Sequence, residues 1–366
     1  MESLTKSNDI HIVYGARQVG KTTLINKVLD KINRKTLRIN ADELVYNNVF
    51  SKRDLRLMKE LTEGYKVLFI DEAQNIQDIG INIKILHDSM PELKIVLSGS
   101  SSFDLANKIS EPLTGRTKTY ILYPIAISEL INSYNKFEIR QSLSDYLTIG
   151  TYPKLFNLET RKEKISHLLE LSSSYLYRDI LQLANIKHSN RIYDLLKLLS
   201  FQIGNLISIN ELAQNLKLSY ETVENYIDLL EKSFVIFRLS GFSKNLRKEI
   251  KKQDKIYFYD LGIRNAVINN FSNIEFRTDR GQLWENFLIL ERMKLNSYRE
   301  EHKNLYFWRT YTGAEIDFIE EYNGKLHAYE FKWGTKTPKP PKTWLETYKN
   351  TTFDYVNREN FFDFIL

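Results

Sequence analysis

The chain has 366 residues, enough for two or three domains, and 42% of them are hydrophobic, so each domain can bury a core. It has no cysteine, which excludes disulfides, thiolate zinc centres and cysteine nucleophiles; no stretch reaches the ~18 uninterrupted apolar residues of a membrane span, so no membrane partner is expected. Its 52 Lys and Arg against 46 Asp and Glu give a formal charge of +6, compatible with nucleic-acid contact without establishing it. The polar start MESLTKSND runs straight into an apolar strand, unlike a cleavable signal, and a cytoplasmic location is expected.

In chain order, the first apolar runs are IHIVY (10–14), KTLRIN (35–40), VLFID (67–71), KIVLSG (94–99) and TYILYP (119–124), separated by helical patterns. Continuous rather than alternating apolar residues suit strands covered on both faces, which predicts a parallel sheet with helices on each side. Residues 155–235 read as mostly helical. Within them Ile209, Leu212, Ala213 and Leu216 form one apolar stripe, Val223, Tyr226, Ile227 and Leu230 a second, and Ser219 is placed to cap the second helix. Two strand patterns follow, FVIFRLSGF and KIYFYD, joined by a segment carrying Lys244, Arg247, Lys248, Lys251 and Lys252. From 281, GQLWENFLILERMKL predicts a helix, and LYFWR, AEIDFIEEY, NGKLHAYEFKW and TTFDYVN predict strands. KTPKPPK (336–342) reads as a stiff exposed loop.

The stretch GARQVGKTT (15–23) follows the first strand and opens the first helix, the setting of a phosphate-binding loop. Gly15 and Gly20 let the backbone turn its N–H groups inward, and Ala16, Arg17, Gln18 and Val19 complete the cradle with Thr23 at its end. Lys21 is suited to the β- and γ-phosphates of ATP, and Thr22 to Mg²⁺. VLFIDEAQ ends its strand in two acids, at the edge where parallel sheets bind ligands. Asp71 there suits Mg²⁺ through water, and Glu72 suits orientation and polarisation of the attacking water. KIVLSGSS offers Ser98 or Ser100 to the γ-phosphate or that water, or is a plain turn. Arg116 is either a surface residue or a group that reaches a neighbouring copy's γ-phosphate in a ring or filament.

GARQVGKTT, FIDEAQ, LSGSS, PLTGR and GTYPKL, in this order, resemble the AAA-type ATPases fused to a C-terminal domain of unknown function. The resemblance continues through YLYRDI, FSKNLRKEIKK and KIYFYDLGIRNA and spans nearly the whole chain. It departs in two places: the first strand begins almost at the start, and GTYP stands where the family has Gly-Gly-Tyr-Pro. Residues 208–260 read as a helix-turn-helix followed by a basic hairpin, a winged helix whose wing suits DNA phosphates. Its second helix carries Glu221, Glu224 and Asp228, a poor face for a major groove. A helix with Glu285, a strand with Asp317, then Glu330 and Lys332 two apart on one strand face resemble the PD-(D/E)xK nucleases. That resemblance implies that Glu285, Asp317 and Glu330 hold Mg²⁺ and that Lys332 aids water activation.

The predicted class is therefore α/β: a P-loop parallel sheet, a helical and winged-helix segment, and a small nuclease-like α/β domain. The corresponding segments are 1–155, 156–265 and 266–366. Two functions remain open: an Mg²⁺-dependent ATPase acting on DNA, with or without cleavage by its last domain, or a nucleotide-gated scaffold that binds a protein partner or further copies of itself.

Overall fold

Each continuous apolar run of the first third becomes a strand in the computed structural model, which describes residues 7–100, 113–175, 189–243 and 254–366. Strands β1 (Ile10–Tyr14), β2 (Thr36–Asn40), β3 (Val67–Asp71), β4 (Lys94–Gly99) and β5 (Thr117–Ile121) pair in parallel in the order β2-β3-β4-β1-β5. Helices α1 (Lys21–Ile32), α2 (Leu44–Ser51), α3 (Leu55–Thr62) and α4 (Ile79–Ser89) connect them. Ile25 and Leu29 of α1 pack on Val67, Phe69 and Val96, so the helix following the glycine-rich loop is fixed to β3 and β4. β4 lies between β1 and β3, and the C-terminal ends of all three share one sheet edge.

The described chain forms two compact units: the first ends at Tyr123 and takes in Lys232–Phe234, and the second comprises Pro124–Glu231 and Val235–Leu366. The later helices are α5 (Ile127–Leu130), α6 (Lys136–Gln141), α7 (Leu143–Thr148), α8 (Arg161–Glu170), α9 (Ser189–Phe201), α10 (Ile209–Leu216), α11 (Tyr220–Lys232), α12 (Leu261–Val267), α13 (Arg280–Tyr298), α14 (Lys342–Thr347) and α15 (Phe361–Ile365). Six strands, β6 (Ile236–Gly241), β7 (Lys255–Phe258), β8 (Asn304–Arg309), β9 (Glu315–Tyr322), β10 (Lys325–Phe331) and β11 (Thr351–Val356), form one mixed sheet in the order β11-β10-β9-β8-β6-β7. The β9–β10 hairpin turns on Asn323 and Gly324, both at positive φ (50° and 72°), as a tight two-residue hairpin requires.

The strands of the supposed wing belong to this larger sheet. Ser240 and Gly241 of β6 pair with Tyr306 and Phe307 of β8. A Cβ on Gly241 would lie 3.4 Å from the Phe307 ring, an ordinary packing contact. Phe242, Trp308, Ile316, Ile319, Trp344 and Tyr348 build the core beneath.

A buried polar junction ties GTYP to YDLGIRNA, two motifs about a hundred residues apart in sequence. Asp260, 4% exposed, accepts the Thr151 N–H at 2.8 Å and caps α12 through the Ile263 N–H at 3.0 Å. Burial pushes its carboxyl up to about 6 against those hydrogen bonds. Asn265 donates to the carbonyls of Leu147 and Thr148 at the end of α7. Arg264 and Arg277 both donate to Asp279 and to Asn265 Oδ1. The contact admits no extra atom: a Cβ on Gly150, at φ 82°, would lie 2.3 Å from Asp260 Oδ1, and one on Gly262 would lie 1.9 Å from the Ile149 carbonyl oxygen. Gly262→Ala is therefore expected to destabilise the second unit by roughly 2–3 kcal/mol through overpacking. Denaturant unfolding checks this, and an unchanged midpoint would contradict the packing described.

Candidate nucleotide site and a buried carboxylate cluster

Residues 15–23 leave the end of β1 and enter α1 through a loop built on three positive φ angles: Gly15 (154°), Gln18 (60°) and Gly20 (98°). Gly15 is obligatory by contact as well as by angle, because a Cβ would stand 2.3 Å from the Leu122 carbonyl oxygen just beyond β5. Ala16 and Val19 are buried and hold the loop down, while Thr22 and Thr23 lie exposed on the first turn of α1. Gly20 is the N-cap of α1 and makes no side-chain cap bond. Such a helix start, at the positive end of the helix dipole, suits an anion. Lys21 is only 5% exposed and donates to the carbonyls of Gly15 and Ala16, both at 2.9 Å. The loop thus wraps its own ammonium.

Asp71, at the end of β3, joins the loop to the central strand. Its Oδ2 accepts the Thr22 hydroxyl at 2.7 Å, and its Oδ1 accepts the buried Ser98 hydroxyl from β4. Ser98 is 0% exposed, so its role differs from the one expected of it: the hydroxyl is spent on Asp71 rather than offered to a phosphate. Glu72 follows at φ 52°, which turns its side chain off the strand direction. Gln74 Nε2 donates to Glu72 Oε2 at 2.5 Å and to Ser100 Oγ at 3.2 Å, linking the second acid to the Ser100 loop. No role is legible for Gln74 in the sequence, where it is one more polar residue after a strand.

Arg116 stands elsewhere. It directly precedes β5, its carbonyl accepts the Ile10 N–H, and its Nε lies 3.3 Å from Asp88. That is the sheet edge where β1 and β5 begin, opposite to the loop, and five residues of strand separate the edges by roughly 16 Å. It cannot serve the loop of its own chain.

In the second unit Leu212, Ala213 and Leu216 of α10 and Val223, Tyr226, Ile227 and Leu230 of α11 are buried as their spacing predicts, and Ser219 Oγ accepts the Thr222 N–H at 3.1 Å. The acids of α11 are not a bare outward face. Arg238 of β6 reaches Glu224 at 2.5 Å, Asp228 at 2.9 Å and Glu231 at 2.6 Å, so three carboxylates share one guanidinium. Spacings of four and three residues put these acids on the helix face turned to β6. Lys244, Arg247, Lys248, Lys251 and Lys252 lie outside the described residues.

The four residues of the nuclease-like pattern do come together. The β9–β10 register, carried one residue beyond Phe318–Tyr329, sets Asp317 opposite Glu330, and each carboxylate is pushed up, chiefly by burial. Lys332 Nζ lies 2.6 Å from Glu330 Oε1. Glu285, on α13, is raised to about 7 by burial, with Lys255 opposing the shift and Asp317 adding to it. Glu285, Asp317 and Glu330, the residues expected to hold Mg²⁺, are all engaged within the protein. Among the described residues no three His, Cys, Asp or Glu side chains are arranged to hold a metal ion. Each carboxylate already has a partner: Glu285 has Lys255 at 2.9 Å and the Tyr257 hydroxyl, Asp317 has the Phe331 N–H at 2.8 Å, and Glu330 has Lys332. Lys255, Tyr257 and Glu315 are absent from the sequence reading. The available signal is the period of KIYFY, which turns Lys255 and Tyr257 to the same strand face.

Comparison with known proteins agrees with this layout. Residues 7–131 match an AAA domain, 140–273 a domain of unknown function (DUF8612) and 280–359 a second one (DUF4143). The chain is 26% identical to the uncharacterized protein MJ1544 of Methanocaldococcus jannaschii, over 85% of this chain and 72% of that one. It is 28% identical to the uncharacterized protein Rv2008c of Mycobacterium tuberculosis, over 89% and 70%. The Walker-type ATPase paby2304 of Pyrococcus abyssi shares the fold, with a TM-score of 0.51 at 17% identity, covering 73% of this chain and 93% of that one. The chain therefore carries an AAA-type P-loop ATPase domain, a nucleotide-binding module, followed by the two domains of unknown function. Among the described residues no helix is long and apolar enough to cross a membrane.

We propose that Lys21, whose ammonium lies within the loop, balances phosphate charge. Lys21→Ala is expected to weaken ATP binding about 100-fold or more, as loss of a charge-assisted contact does, while the fold survives. Titration with a fluorescent ATP analogue checks this, and unchanged affinity in a folded variant would contradict the assignment.

Proposed function

We propose that the chain is a Mg²⁺-dependent ATPase whose nucleotide cycle drives action on DNA. The observation that carries the first half is the convergence of Lys21, Thr22, Asp71 and Glu72 at one sheet edge, with the Thr22 hydroxyl 2.7 Å from Asp71. These residues fit the nucleotide and its metal: an open helix start for phosphates, a buried ammonium for their charge, and a hydroxyl beside a carboxylate for a hard oxygen-seeking cation. When bound, the ion screens phosphate charge. The Thr22 hydroxyl and the Asp71 carboxylate would hold it, and the Ser98 hydroxyl keeps Asp71 in place. Glu72 would accept a proton from water, and Gln74 and Ser100 set the direction of its carboxylate. Arg116, remote from its own loop, could stabilise transition-state charge only in a neighbouring copy, so that role requires a ring or filament.

The second half rests on the order of elements from α9 to β7. Three helices, a short bridge between Leu206 and Lys255, and an antiparallel strand pair make a winged-helix pattern. Arg238 engages Glu224, Asp228 and Glu231 and draws part of the acidic face of α11 onto β6, which lessens the objection that the sequence raises against DNA, while Glu221 stays exposed. The basic residues 244–252 would supply phosphate contacts. We keep 156–265 and 266–366 as the functional segments behind the ATPase part. The other reading, a nucleotide-gated scaffold for a protein partner, draws on the paired carboxylates of β9 and β10, which leave no ready metal site for cleavage.

One assay separates the parts. ATP turnover should fall about 10²- to 10⁴-fold in Glu72→Gln, the usual worth of a general base, with ATP still bound. Duplex DNA should stimulate the wild type. Equal turnover by Glu72→Gln would contradict the role of Glu72, and turnover indifferent to DNA at low salt would favour the scaffold.

A further inference from the structure

The nuclease-like locus contains a cation of its own. Lys255 opens β7 with its side chain 2% exposed, and its Nζ lies 2.9 Å from Glu285 Oε1 and 2.6 Å from Glu315 Oε1, with the Phe307 ring 5.4 Å away. Asp317 is near enough to add to the attraction. We propose that Lys255 is the resident cation of this carboxylate cluster, takes the place a divalent ion would need, and leaves the second unit without metal-dependent nuclease activity. This stands apart from the ATPase reading and does not depend on it.

Three observations support it. The first is coordination: Glu285 Oε1 already accepts both Lys255 and the Tyr257 hydroxyl, so the carboxylate is engaged without a metal. The second is charge. Glu285, Glu315, Asp317 and Glu330 bring at most four negative charges, because burial favours the neutral form of Glu285, Asp317 and Glu330, while Lys255, Lys332 and Arg309 (3.5 Å from Glu315) bring three positive ones. At most one negative charge remains uncompensated. A divalent ion would reverse the sign of the site and lie against two ammonium groups in a poorly solvated place, where repulsion is weakly screened. The third is that Lys255 cannot readily leave or discharge. It is buried on a sheet strand, and although burial opposes its charge, Glu285, Glu315 and Asp317 outweigh that and hold its pKa above the usual lysine value. Tyr257, from the same strand face, donates to the same Glu285 oxygen. Lys255 is thus a positioning residue that holds Glu285 and Glu315 together without a metal.

The test compares nucleotide-free wild type, Asp317→Asn, Lys255→Met, and the double variant by Mn²⁺ titration with paramagnetic resonance and by thermal unfolding. Methionine keeps the length of the side chain and removes the charge. Wild type and Asp317→Asn should bind Mn²⁺ alike, any binding at Thr22 and Asp71 being common to both. Lys255→Met should gain a Mn²⁺ site about tenfold or more tighter than any in the wild type, and its melting temperature should rise with Mn²⁺ by mass action. Adding Asp317→Asn should abolish that gain. A wild-type Mn²⁺ site lost in Asp317→Asn would overturn the proposal, as would a folded Lys255→Met that gains none. If Lys255→Met does not fold, the wild-type and Asp317→Asn pair decides alone.

Discussion

The Asp71 carboxylate is the interaction on which the nucleotide site depends. One oxygen takes the hydroxyl of Thr22 from the first turn of α1, and the other takes the hydroxyl of Ser98 from the fully buried β4. Three chain segments that share no local sequence relation are thereby held at one point. The parallel sheet makes this possible, since β1, β4 and β3 are successive neighbours and all end at the same edge. Hydrophobic packing of α1 on β3 and β4 brings the segments near one another, and the carboxylate sets their orientation. A buried hydroxyl spent on a carboxylate is well satisfied, whereas the same hydroxyl left unpaired would cost about 1–3 kcal/mol. On the neighbouring side, Glu72 is a left-handed residue whose carboxylate accepts the Gln74 amide.

The second unit is organised by charges taken out of water in matched sets. Arg264 and Arg277 close on Asp279 and Asn265, Glu320 takes Arg292 at 2.7 Å together with Asn296, and Glu291 pairs with Lys294 while accepting the Ile127 N–H. Sets of this kind contribute little net stability compared with apolar packing, and removing one member is costly. Their effect is to fix which segments meet. Arg238 with its three acids and Lys255 with its two follow the same rule, each answering several carboxylates with a single cation. What looks in the sequence like an acidic helix face or a metal site is, in the folded chain, a set of carboxylates gathered on an internal cation.

How much was legible follows from this. The motif strands are readable because a parallel strand buried on both faces must be continuously apolar, as VLFID and KIVLSG are. The phosphate loop is readable because its chemistry is local to nine residues, and the hairpin that brings Asp317 to Glu330 is readable from its Asn-Gly turn. Partners separated by long stretches of chain are not readable. Nothing near Glu285 announces Lys255 thirty residues earlier, and nothing near Glu224 announces Arg238. Ser98 was open between two roles because its fate depends on Asp71, which only the sheet order sets beside it. The strands β6 and β7 read as a hairpin by themselves, and their membership of a six-stranded sheet depends on a two-residue pairing at Gly241.

The central claim is that Asp71 is the point through which Mg²⁺ and the phosphate loop act together. The most direct measurement is ATP-analogue affinity of wild type and Asp71→Asn, each with Mg²⁺ and with a chelator. Asparagine keeps the Thr22 and Ser98 contacts within reach but removes the charge. The account predicts that Mg²⁺ tightens binding in the wild type by about tenfold or more and has little effect in Asp71→Asn. An equal Mg²⁺ response in a folded Asp71→Asn would contradict it.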